Sequence, residues 1–433
     1  MEKKKVCVVG LGYVGLTLAM HAVRNRYEVH GIEILDDTFD TISSGSTHFH
    51  EPGLDELLKL SLGKAFYVHK RIPENTDFDV FIITVGTPLV AGQKFPDMGV
   101  LDNAIESVTP FVTEENLIIL RSTIPVGTSR LIAQKFIQTQ DLKCVNVSFC
   151  PERTAEGQAL VELQSLPQII SGNCVEATHK ARRFFEPLTD EVVEANCLEE
   201  AELIKLFNNT YRDASFAIAN TFNQIAQVFN VDGSEAIDKA NHNYPRSAIP
   251  RPGFVAGPCL EKDAYILSSN MGDGDLKNFL LSIRRANENL ESMVSGYIEN
   301  FLVANISSKI LVTGLAFKGV PQTNDLRGSS ATNILNSLAK YAENLTIHDF
   351  MNSKKNLEDK IGVTSVEPDE IFNHPFIAYD CVVILNNHPS YKSLQMRQFV
   401  TEQINMGAVI VDSWGVMDLP GQRTLSNLFI NEN

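Results

Sequence analysis

The first half of the chain alternates short apolar runs with stretches whose apolar residues recur at helical spacing. Five runs rich in β-branched and aromatic residues predict strands at residues 6–9, 28–32, 80–84, 117–120 and 145–149. Strands that alternate with helices pair in parallel, because each connection crosses back over the sheet. The pattern therefore predicts a parallel sheet with helices on both faces.

The middle of the chain has a different pattern. From residue 198 to about residue 230 apolar residues recur every three or four positions, which predicts one helix long enough to bridge two domains. A loop rich in proline, glycine and asparagine follows over 241–258, and a second long helix is predicted over 276–302. A loop of that length inside a compact protein is usually functional.

The alternation of strands and helices begins again after residue 306. Further strands are predicted at residues 309–313, 345–348, 381–385 and 409–411. We therefore predict an α/β protein with two doubly wound parallel-sheet domains joined by a long central helix and a helical region. The predicted domains are 1–197, 198–305 and 306–433. The sequences of the two sheets share no motif that would mark them as an internal repeat.

Composition and charge limit the possible partners. The chain has 433 residues, of which 44% are hydrophobic and 21% charged, as in soluble proteins with full-sized cores. The net charge of −16 argues against nucleic acid or an anionic membrane as a partner, because phosphate binding needs a basic surface. No run approaches the roughly 20 apolar residues of a membrane span, and the first five residues lead straight into a strand. We expect a cytoplasmic protein.

Seven cysteines are scattered along the chain, at positions 7, 144, 150, 174, 197, 259 and 381. Their number is odd and none forms a Cys-x-x-Cys pair, which predicts thiols and no metal site. Six of them are expected to be small buried apolar residues. Cys259 differs, because its surroundings are polar and rich in glycine.

A glycine-rich turn links the first predicted strand to the first helical run. Its residues are Gly10, Leu11, Gly12, Tyr13, Val14 and Gly15. Such glycines permit a tight turn and a close approach of pyrophosphate to backbone amides at a helix start. Glu33 ends the second strand, where a carboxylate can bind the adenosine ribose hydroxyls and repel a 2′-phosphate. We predict a Rossmann-like NAD site here, the alternative being a glycine turn of another α/β protein.

Several further segments lie in an order that resembles one known family. They are residues 85–88 (VGTP), 121–128 (RSTIPVGT), 150–157 (CPERTAEG), 201–209 (AELIKLFNN), 253–263 (GFVAGPCLEKD), 315–319 (LAFKG) and 325–330 (DLRGSS). With the glycine turn they resemble the UDP-glucose/GDP-mannose (nucleotide-sugar) 6-dehydrogenase family over nearly the whole chain. The resemblance implies an NAD domain, a central dimerisation region and a nucleotide-sugar domain, which is the division predicted from the pattern.

The resemblance implies that Cys259 is a catalytic nucleophile. A thiol at the start of a helical turn beside Lys262 would have its pKa lowered toward the thiolate. Asp263 lies four residues later and would share a face with the thiol if the segment is helical. It would orient the thiol or a water molecule. Lys205 and Asn209, one turn apart, would stabilise the oxyanion that forms at C6. The alternative for this second pair is a solvated helix face.

Other roles are also implied by the resemblance. Thr123 would hold the catalytic water and Glu152 would activate it for thioester hydrolysis. Further cofactor contacts are expected from Gly86, Thr87, Ser122, Thr123 and Lys262. Substrate contacts are expected from Arg153, Lys205, Asn209, Arg246, Phe254, Gly257, Phe317, Lys318 and Arg327.

Some of these substrate contacts have specific interpretations. Lys318 would offset the diphosphate charge. Arg327 would either do the same or brace Asp325. Arg246 resembles an arginine that reaches the sugar of a neighbouring subunit. The resemblance also implies a homodimer or higher homo-oligomer, with a dimer built on the helix from Leu198.

Two positions depart from the family pattern. Many members carry Asp-x-Arg after the last strand, whereas this chain has Asp412, Ser413 and Trp414. The basic residue that often follows the ribose carboxylate is absent around residues 36–38. Neither change removes a catalytic group, so both concern ligand binding.

The predicted reaction is the NAD-dependent four-electron oxidation of the C6 alcohol of a UDP-N-acetylhexosamine through a thiohemiacetal and a thioester on Cys259. The segments around Glu152 and Cys259 look more like the UDP-N-acetylmannosamine and UDP-N-acetylglucosamine branches than the UDP-glucose branch, and UDP-N-acetylmannosamine is favoured. A one-step dehydrogenase of the 6-phosphogluconate or 3-hydroxyacyl type and a non-catalytic NAD-binding regulator are the remaining alternatives. The number of NADH formed per sugar distinguishes them.

Overall fold

The computed structural model describes residues 4–372, 377–419, 421–428 and 430. The chain divides into two compact units. The first contains the residues up to Asn208 together with Lys262–Gly272, and the second contains Asn209–Glu261 and the residues from Asp273 onward. Each unit has its own parallel sheet.

The first unit is built on a six-stranded parallel sheet in the order β3-β2-β1-β4-β5-β6. Its strands are β1 (Lys5–Val9), β2 (Glu28–Ile32), β3 (Phe66–His69), β4 (Val80–Ile83), β5 (Leu117–Leu120) and β6 (Asn146–Phe149). A short parallel pair follows, β7 (Gln168–Ile170) with β8 (Val192–Glu194). The strand order reverses between β1 and β4, which is where doubly wound sheets bind ligands.

Helices cover both faces of this sheet, as predicted. They are α1 (Tyr13–Arg24), α2 (Asp36–Ser43), α3 (Leu54–Ser61), α4 (Gly99–Val108), α5 (Thr128–Gln140), α6 (Ala159–Ser165), α7 (Val175–Phe185) and the start of α8 (Leu198–Val228). Successive side chains of β1 alternate between two apolar clusters, with Val6 and Val8 in one and Cys7 and Val9 in the other. The sheet is therefore buried on both sides.

The second unit contains a four-stranded parallel sheet in the order β10-β9-β11-β12. Its strands are β9 (Ile310–Thr313), β10 (Leu345–His348), β11 (Cys381–Ile384) and β12 (Val409–Asp412). The remaining helices in chain order are α9 (Gly233–Asn241), α10 (Asp263–Ser268), α11 (Asp275–Ala304), α12 (Ser330–Ser337), α13 (Lys354–Ile361) and α14 (Leu394–Asn405), of which α10 belongs to the first unit. The predicted fold class is confirmed.

Helix α8 has an unusual distribution of polar and apolar residues. Its buried positions in the second unit include the polar residues Asp213, Asn220, Asn223 and Gln227. A stripe of apolar residues is instead 45% to 74% exposed, namely Phe207, Tyr211, Ile218, Phe222 and Ile225. In the second unit, the apolar residues whose spacing predicted this helix therefore lie on its outer face, and an exposed apolar stripe is typical of an interface.

Among the helices in the described part of the chain, none is both long enough and apolar enough to cross a bilayer.

Candidate active site

The glycine turn after β1 forms a cradle for a pyrophosphate. Gly10 has a φ of 91°, and its amide donates to the Ile32 carbonyl at 2.9 Å. A β-carbon on Gly15 would lie 1.9 Å from the Gly10 carbonyl oxygen, so this glycine is required by the turn itself. A β-carbon on Gly12 would meet no protein atom within 4 Å. The open space beside Gly12, at the start of α1, fits the approach of an NAD pyrophosphate.

Glu33 directly follows β2 and is buried. Its carboxylate accepts the Leu11 amide at 3.2 Å and the Leu35 amide at 2.9 Å. A carboxylate offers about four acceptor positions, so this group retains capacity for ribose hydroxyls. Near residue 36, where the sequence lacks the expected basic residue, Lys70 Nζ lies 2.6 Å from Asp36 Oδ1. Lys70 directly follows the neighbouring strand β3.

Tyr13 and Val14 begin α1. The Tyr13 hydroxyl lies 2.9 Å from both Glu51 Oε2 and the Ala155 carbonyl oxygen. Glu51 also accepts the Gly157 amide at 2.9 Å. Tyr13 thus ties the glycine turn to the segment after β6, while Val14 is half-buried beside it.

The loops after β4 and β5 are bonded to each other. Ser122 Oγ donates to the Val85 carbonyl and Thr87 Oγ1 donates to the Thr123 carbonyl, both at 2.6 Å. The structure therefore brings Gly86, Thr87, Ser122 and Thr123 together at the carboxyl ends of adjacent strands, where the sequence placed a cofactor loop.

Glu152 lies in a buried ion pair that the sequence did not reveal. Its Oε2 accepts Arg121 Nε at 3.1 Å and Arg121 Nη2 at 2.5 Å, and its Oε1 accepts the amides of Arg153 and Thr154 at 2.7 Å. Burial alone would raise the pKa of Glu152, but the Arg121 charge, the Thr154 amide and Lys205 lower it. Glu152 is therefore held as a carboxylate with four accepted hydrogen bonds.

The surroundings of this pair involve other predicted residues. Arg121 also donates to the Cys150 carbonyl at 3.0 Å and to Gln168 Oε1 at 2.9 Å. Arg153 donates to the Pro167 carbonyl. The signal for Arg121 in the sequence was a charged residue directly after an apolar strand.

Lys205 and Asn209 occupy one face of α8, one turn apart, and both are buried. Lys205 lies close enough to Glu152 to affect its pKa. The solvated-face alternative does not describe these two positions. The exposed residues between them on α8 are Phe207 and Asn208.

Asp263 and Lys262 pair with each other in the first unit. Lys262 Nζ donates to Asp263 Oδ1 at 2.9 Å, and Asp263 is buried. Helix α10 begins at Asp263, so Cys259 lies in the preceding turn. The residues between them are not helical, so the condition for a shared helical face is not met.

Cys259 is exposed on a loop of the second unit. Gly257 precedes it with a φ of 99°, and a β-carbon there would lie 2.6 Å from the Phe317 ring. The Gly257 amide donates to the Gly328 carbonyl at 2.8 Å. The structure thus brings the cysteine loop against the two segments that the sequence assigned to the nucleotide sugar.

The remaining cysteines only partly match the prediction. Cys7, Cys150 and Cys381 are buried, and burial raises the pKa of Cys150 and of Cys381 to about 12. The prediction is wrong for Cys144 and Cys174, which are exposed. Both lie in connections at the surface, Cys144 before β6 and Cys174 directly before α7.

Lys318 and Arg327, the two cations of the segment 315–330, make different contacts. Lys318 Nζ lies 5.2 Å from the centre of the Phe317 ring. Arg327 Nη2 donates to Asp325 Oδ2 at 2.6 Å, which matches the bracing role that the sequence left open. Arg246, elsewhere in the second unit, stacks on its neighbour Tyr244 with 5.0 Å to the ring centre.

Trp414, which replaces the family's arginine, is a packing residue here. Its Nε1 donates to the Leu385 carbonyl at 3.1 Å. A β-carbon on Gly253 would lie 2.4 Å from the indole ring, so the ring lies directly against the start of the cysteine loop. Phe254 is buried in the same apolar cluster.

Comparison with known proteins extends over nearly all of this chain. Three domain models of the UDP-glucose/GDP-mannose dehydrogenase family match it: the NAD binding domain over residues 4–189, the central domain over 199–289 and the UDP binding domain over 311–419. A UDP-N-acetyl-D-mannosamine dehydrogenase of Pyrococcus horikoshii is 32% identical over 401 residues, 90% of this chain and 91% of that protein. One of Methanococcus vannielii is 31% identical over 91% of this chain and 88% of its own.

Solved structures give the same result. The structure of the UDP-D-ManNAc dehydrogenase of Pyrococcus horikoshii has a TM-score of 0.84 and 29% identity, with 98% of this chain and 100% of that chain covered. The UDP-N-acetyl-mannosamine dehydrogenase of Staphylococcus aureus has a TM-score of 0.82 and 27% identity, covering 98% and 99% of the two chains. With the NAD cradle and the UDP binding domain in place, this chain belongs to the UDP-glucose/GDP-mannose dehydrogenase family and is an NAD-dependent nucleotide-sugar dehydrogenase.

Proposed function

We propose that this enzyme oxidises the C6 alcohol of UDP-N-acetyl-D-mannosamine to the carboxylate in two successive steps, with Cys259 as the covalent nucleophile. The observation that supports this most strongly is the exposed thiol on a glycine-bearing loop that packs on Phe317 and bonds to Gly328 of the UDP binding domain. A dehydrogenase that stops at the aldehyde has no use for a nucleophile at that place.

In the first oxidation the C6 alcohol loses a proton and a hydride to give an aldehyde. When bound, NAD+ supplies the hydride acceptor for this and the later oxidation. Gly12 and Gly15 shape the cradle that would hold its pyrophosphate, and Glu33 would bind the adenosine ribose. We assign Lys205 and Asn209 to the developing oxyanion, because buried donors stabilise such a charge far better than water does.

The second stage takes place on Cys259. Its sulfur adds to C6 of the aldehyde, which forms one C–S bond and, after proton uptake by oxygen, a thiohemiacetal. Loss of a second hydride and of the hydroxyl proton converts this group to a thioester. Water then adds to the thioester carbon, the C–S bond breaks, and the carboxylate and the thiol are released.

One of the residues assigned to hydrolysis, Glu152, is poorly placed to accept a proton. Glu152 already accepts four hydrogen bonds and has a lowered pKa, so it is a weak base. We therefore assign Glu152 to orientation and charge stabilisation through Arg121. Thr123 and Asp263 are the groups proposed to hold the water and to take up its proton.

The sugar is proposed from the relatives. The proteins of Pyrococcus horikoshii and Methanococcus vannielii that match almost the whole chain are both named UDP-N-acetyl-D-mannosamine dehydrogenases. The same sugar was favoured by the sequence around Glu152 and Cys259. UDP-N-acetylglucosamine and UDP-glucose are the alternatives that a test must separate.

We also propose that the enzyme is a homodimer built on α8. The apolar stripe of this helix is exposed although the buried face is polar, which is the reverse of an ordinary surface helix. Packing that stripe against the same stripe of a second copy would bury the apolar residues of both copies. The three predicted domains, 1–197, 198–305 and 306–433, are retained as part of this proposal.

The test is the number of NADH molecules formed per sugar, measured with limiting UDP-N-acetylmannosamine, UDP-N-acetylglucosamine, UDP-N-acetylgalactosamine or UDP-glucose. The proposal predicts two NADH and one uronate from UDP-N-acetylmannosamine, with the highest kcat/KM of the four. One NADH per sugar would mean a simple dehydrogenase. Two NADH from UDP-glucose alone would keep the chemistry and change the substrate.

A further inference from the structure

A buried arginine lies beside the loop that carries Cys259. Arg284, on α11, is 2% exposed, and its Nη1 donates to Asp213 Oδ1 of α8 at 2.7 Å. The same nitrogen donates to the Leu260 carbonyl at 3.0 Å, and Nη2 donates to the Val255 carbonyl at 3.3 Å. Arg284 therefore binds the backbone on both sides of Cys259.

Two asparagines extend this network to the start of the loop. Asn220 of α8 donates to the Gly253 carbonyl at 3.0 Å and accepts the Gly253 amide at 2.9 Å. Asn220 also donates to Asn287 Oδ1 at 2.9 Å, and Asn287 donates to Asp213 Oδ1 at 2.8 Å. One connected set of buried polar groups thus fixes the loop at three backbone positions, 253, 255 and 260.

Stability alone does not account for this arrangement. A buried ion pair roughly cancels its own desolvation cost, and apolar residues of equal volume would often be as stable or more so. An arginine does supply a rigid planar fork that can reach a carboxylate and two carbonyl oxygens together. The contacts are thus better suited to holding one loop geometry than to adding stability.

We propose that Arg284 and Asn220 are positioning residues for Cys259, which fix the loop so that its sulfur is held where it must attack the aldehyde. This inference rests on the proposed nucleophilic role of Cys259. Neither residue is assigned a contact with substrate or cofactor. Because reacting atoms must be placed to well within 1 Å, release of the loop should lower the rate of thioester formation about 100-fold.

The chain offers a matched pair of variants on one helix. Asn220 and Asn223 are both buried on α8, but Asn223 donates to the Leu425 carbonyl at 2.8 Å instead of binding the cysteine loop. Asn220→Ala and Asn223→Ala therefore remove similar buried amides, and only the first releases the loop. Arg284→Lys keeps the charge but loses the fork.

Two measurements on the full-length enzyme separate positioning from general destabilisation. The first is the rate of alkylation of Cys259 by iodoacetamide without ligands, with the exposed Cys144 and Cys174 as internal references. The second is kcat for uronate formation together with the KM for NAD+. Alkylation needs no turnover, so it remains informative even if the proposed chemistry fails.

The expected result is a loss of about 100-fold in kcat for Arg284→Lys and about 10-fold for Asn220→Ala, with the KM for NAD+ unchanged. The Cys259 alkylation rate should change several-fold in both, while the Cys144 and Cys174 rates stay constant. Asn223→Ala should match the wild type in both assays. The inference is overturned if Asn220→Ala and Asn223→Ala behave alike, or if Arg284→Lys folds and keeps the wild-type kcat.

Discussion

The two sheets of this protein begin in the same way and then diverge. In each, the first strand is followed directly by a glycine and a leucine, and the glycine has a positive φ, 91° at Gly10 and 85° at Gly314. Each glycine amide donates to the last residue of the second strand, at 2.9 Å to Ile32 and at 3.1 Å to His348. The second strand of each sheet is followed directly by an acidic residue, Glu33 in one sheet and Asp349 in the other. Its carboxylate accepts the amide of the leucine.

The two acids differ in how much of their hydrogen-bonding capacity is already used. Glu33 accepts two amides, at 3.2 and 2.9 Å. Asp349 accepts four donors, from Leu315, Ala316, Met351 and Asn352. With about four acceptor positions per carboxylate, Glu33 can still bind a ligand hydroxyl and Asp349 is fully used within the protein.

The loops that follow differ as well. Helix α1 begins at Tyr13, directly after the glycine turn, so its free amides can meet a phosphate. In the second unit α12 begins only at Ser330, and the intervening segment carries Lys318 and Arg327. The two sheets thus share a starting geometry, which is followed directly by a helix start in one and by a longer segment with two cations in the other.

The largest effect should follow from Asp349→Ala. Removing a buried carboxylate with four donors leaves those donors without partners, and we expect a loss of about 3 kcal/mol or more in stability. The loop 315–319 should lose its conformation, so UDP binding should weaken at least 10-fold. Denaturant unfolding and titration with UDP measure both quantities. Wild-type UDP affinity in this variant would contradict the bracing role of Asp349, whereas NAD+ affinity should be unchanged.

Glu33→Gln tests the acid whose hydrogen-bonding capacity is only partly used within the protein. The amide can still accept one backbone hydrogen bond, so stability should fall by about 1 kcal/mol. The KM for NAD+ should rise about 10-fold, because a charged acceptor is lost from the ribose, and discrimination against NADP+ should weaken. Steady-state kinetics with both cofactors provide the measurement, with the KM for the UDP-sugar as the control. Unchanged cofactor selectivity would show that Glu33 is a brace like Asp349.

Gly12→Ala separates ligand approach from protein packing. Gly12 has a φ of −64°, which alanine adopts readily, and the added carbon meets no protein atom. Stability should stay within about 0.5 kcal/mol of the wild type. The KM for NAD+ should still rise several-fold, since the new methyl group occupies the path of the pyrophosphate. If NAD+ affinity is unaffected, the cofactor does not pass beside Gly12.

Glu291→Gln should give the smallest effect and a pH signature. Burial raises the pKa of Glu291 above its usual 4.5, with a further rise from Glu288, whereas Asn333, Ser330 and Arg284 lower it. A raised pKa means that stability falls as the pH rises above 4.5 toward the pKa in the folded state. The variant should therefore be more stable near pH 7.5, on the order of 2 °C in Tm, and nearly equal at pH 4. An equal gain at both pH values would exclude titration of Glu291 as the cause.

Much of the fold could be predicted because buried parallel strands form continuous apolar runs. All nine predicted strands lie within one residue of the observed ones. The strands that were not predicted are β3, at the edge of the sheet, and β7 and β8, which pair with each other and have three residues each. β3 has only four residues, FYVH, of which Phe66 alone is buried. The outer apolar stripe of α8 could not be told from a core-facing one, because helical spacing does not identify what covers a face.

The sequence indicated individual candidate site residues, but not the hydrogen-bond network that surrounds them. Cys259, Lys205 and Glu152 came from local motifs that a sequence displays directly. The partners that hold them are distant in the chain, such as Arg121 beside Glu152 and Arg284 beside the cysteine loop. Pairing of this kind depends on the folded topology, and neither partner carries a local signal beyond being a charge among apolar residues. The ion pair between Lys70 and Asp36 likewise joins residues that are distant in the chain.

Covalent capture by Cys259 is tested most directly with Cys259→Ser. The variant is incubated with NAD+ and UDP-N-acetylmannosamine, NADH is counted, and the sugar products are identified by mass spectrometry. The account predicts no steady-state uronate, at most one NADH per sugar, and trapping of the aldehyde by an added hydroxylamine. Rapid formation of uronate with two NADH per sugar would contradict the account, because the second oxidation would then proceed without the sulfur.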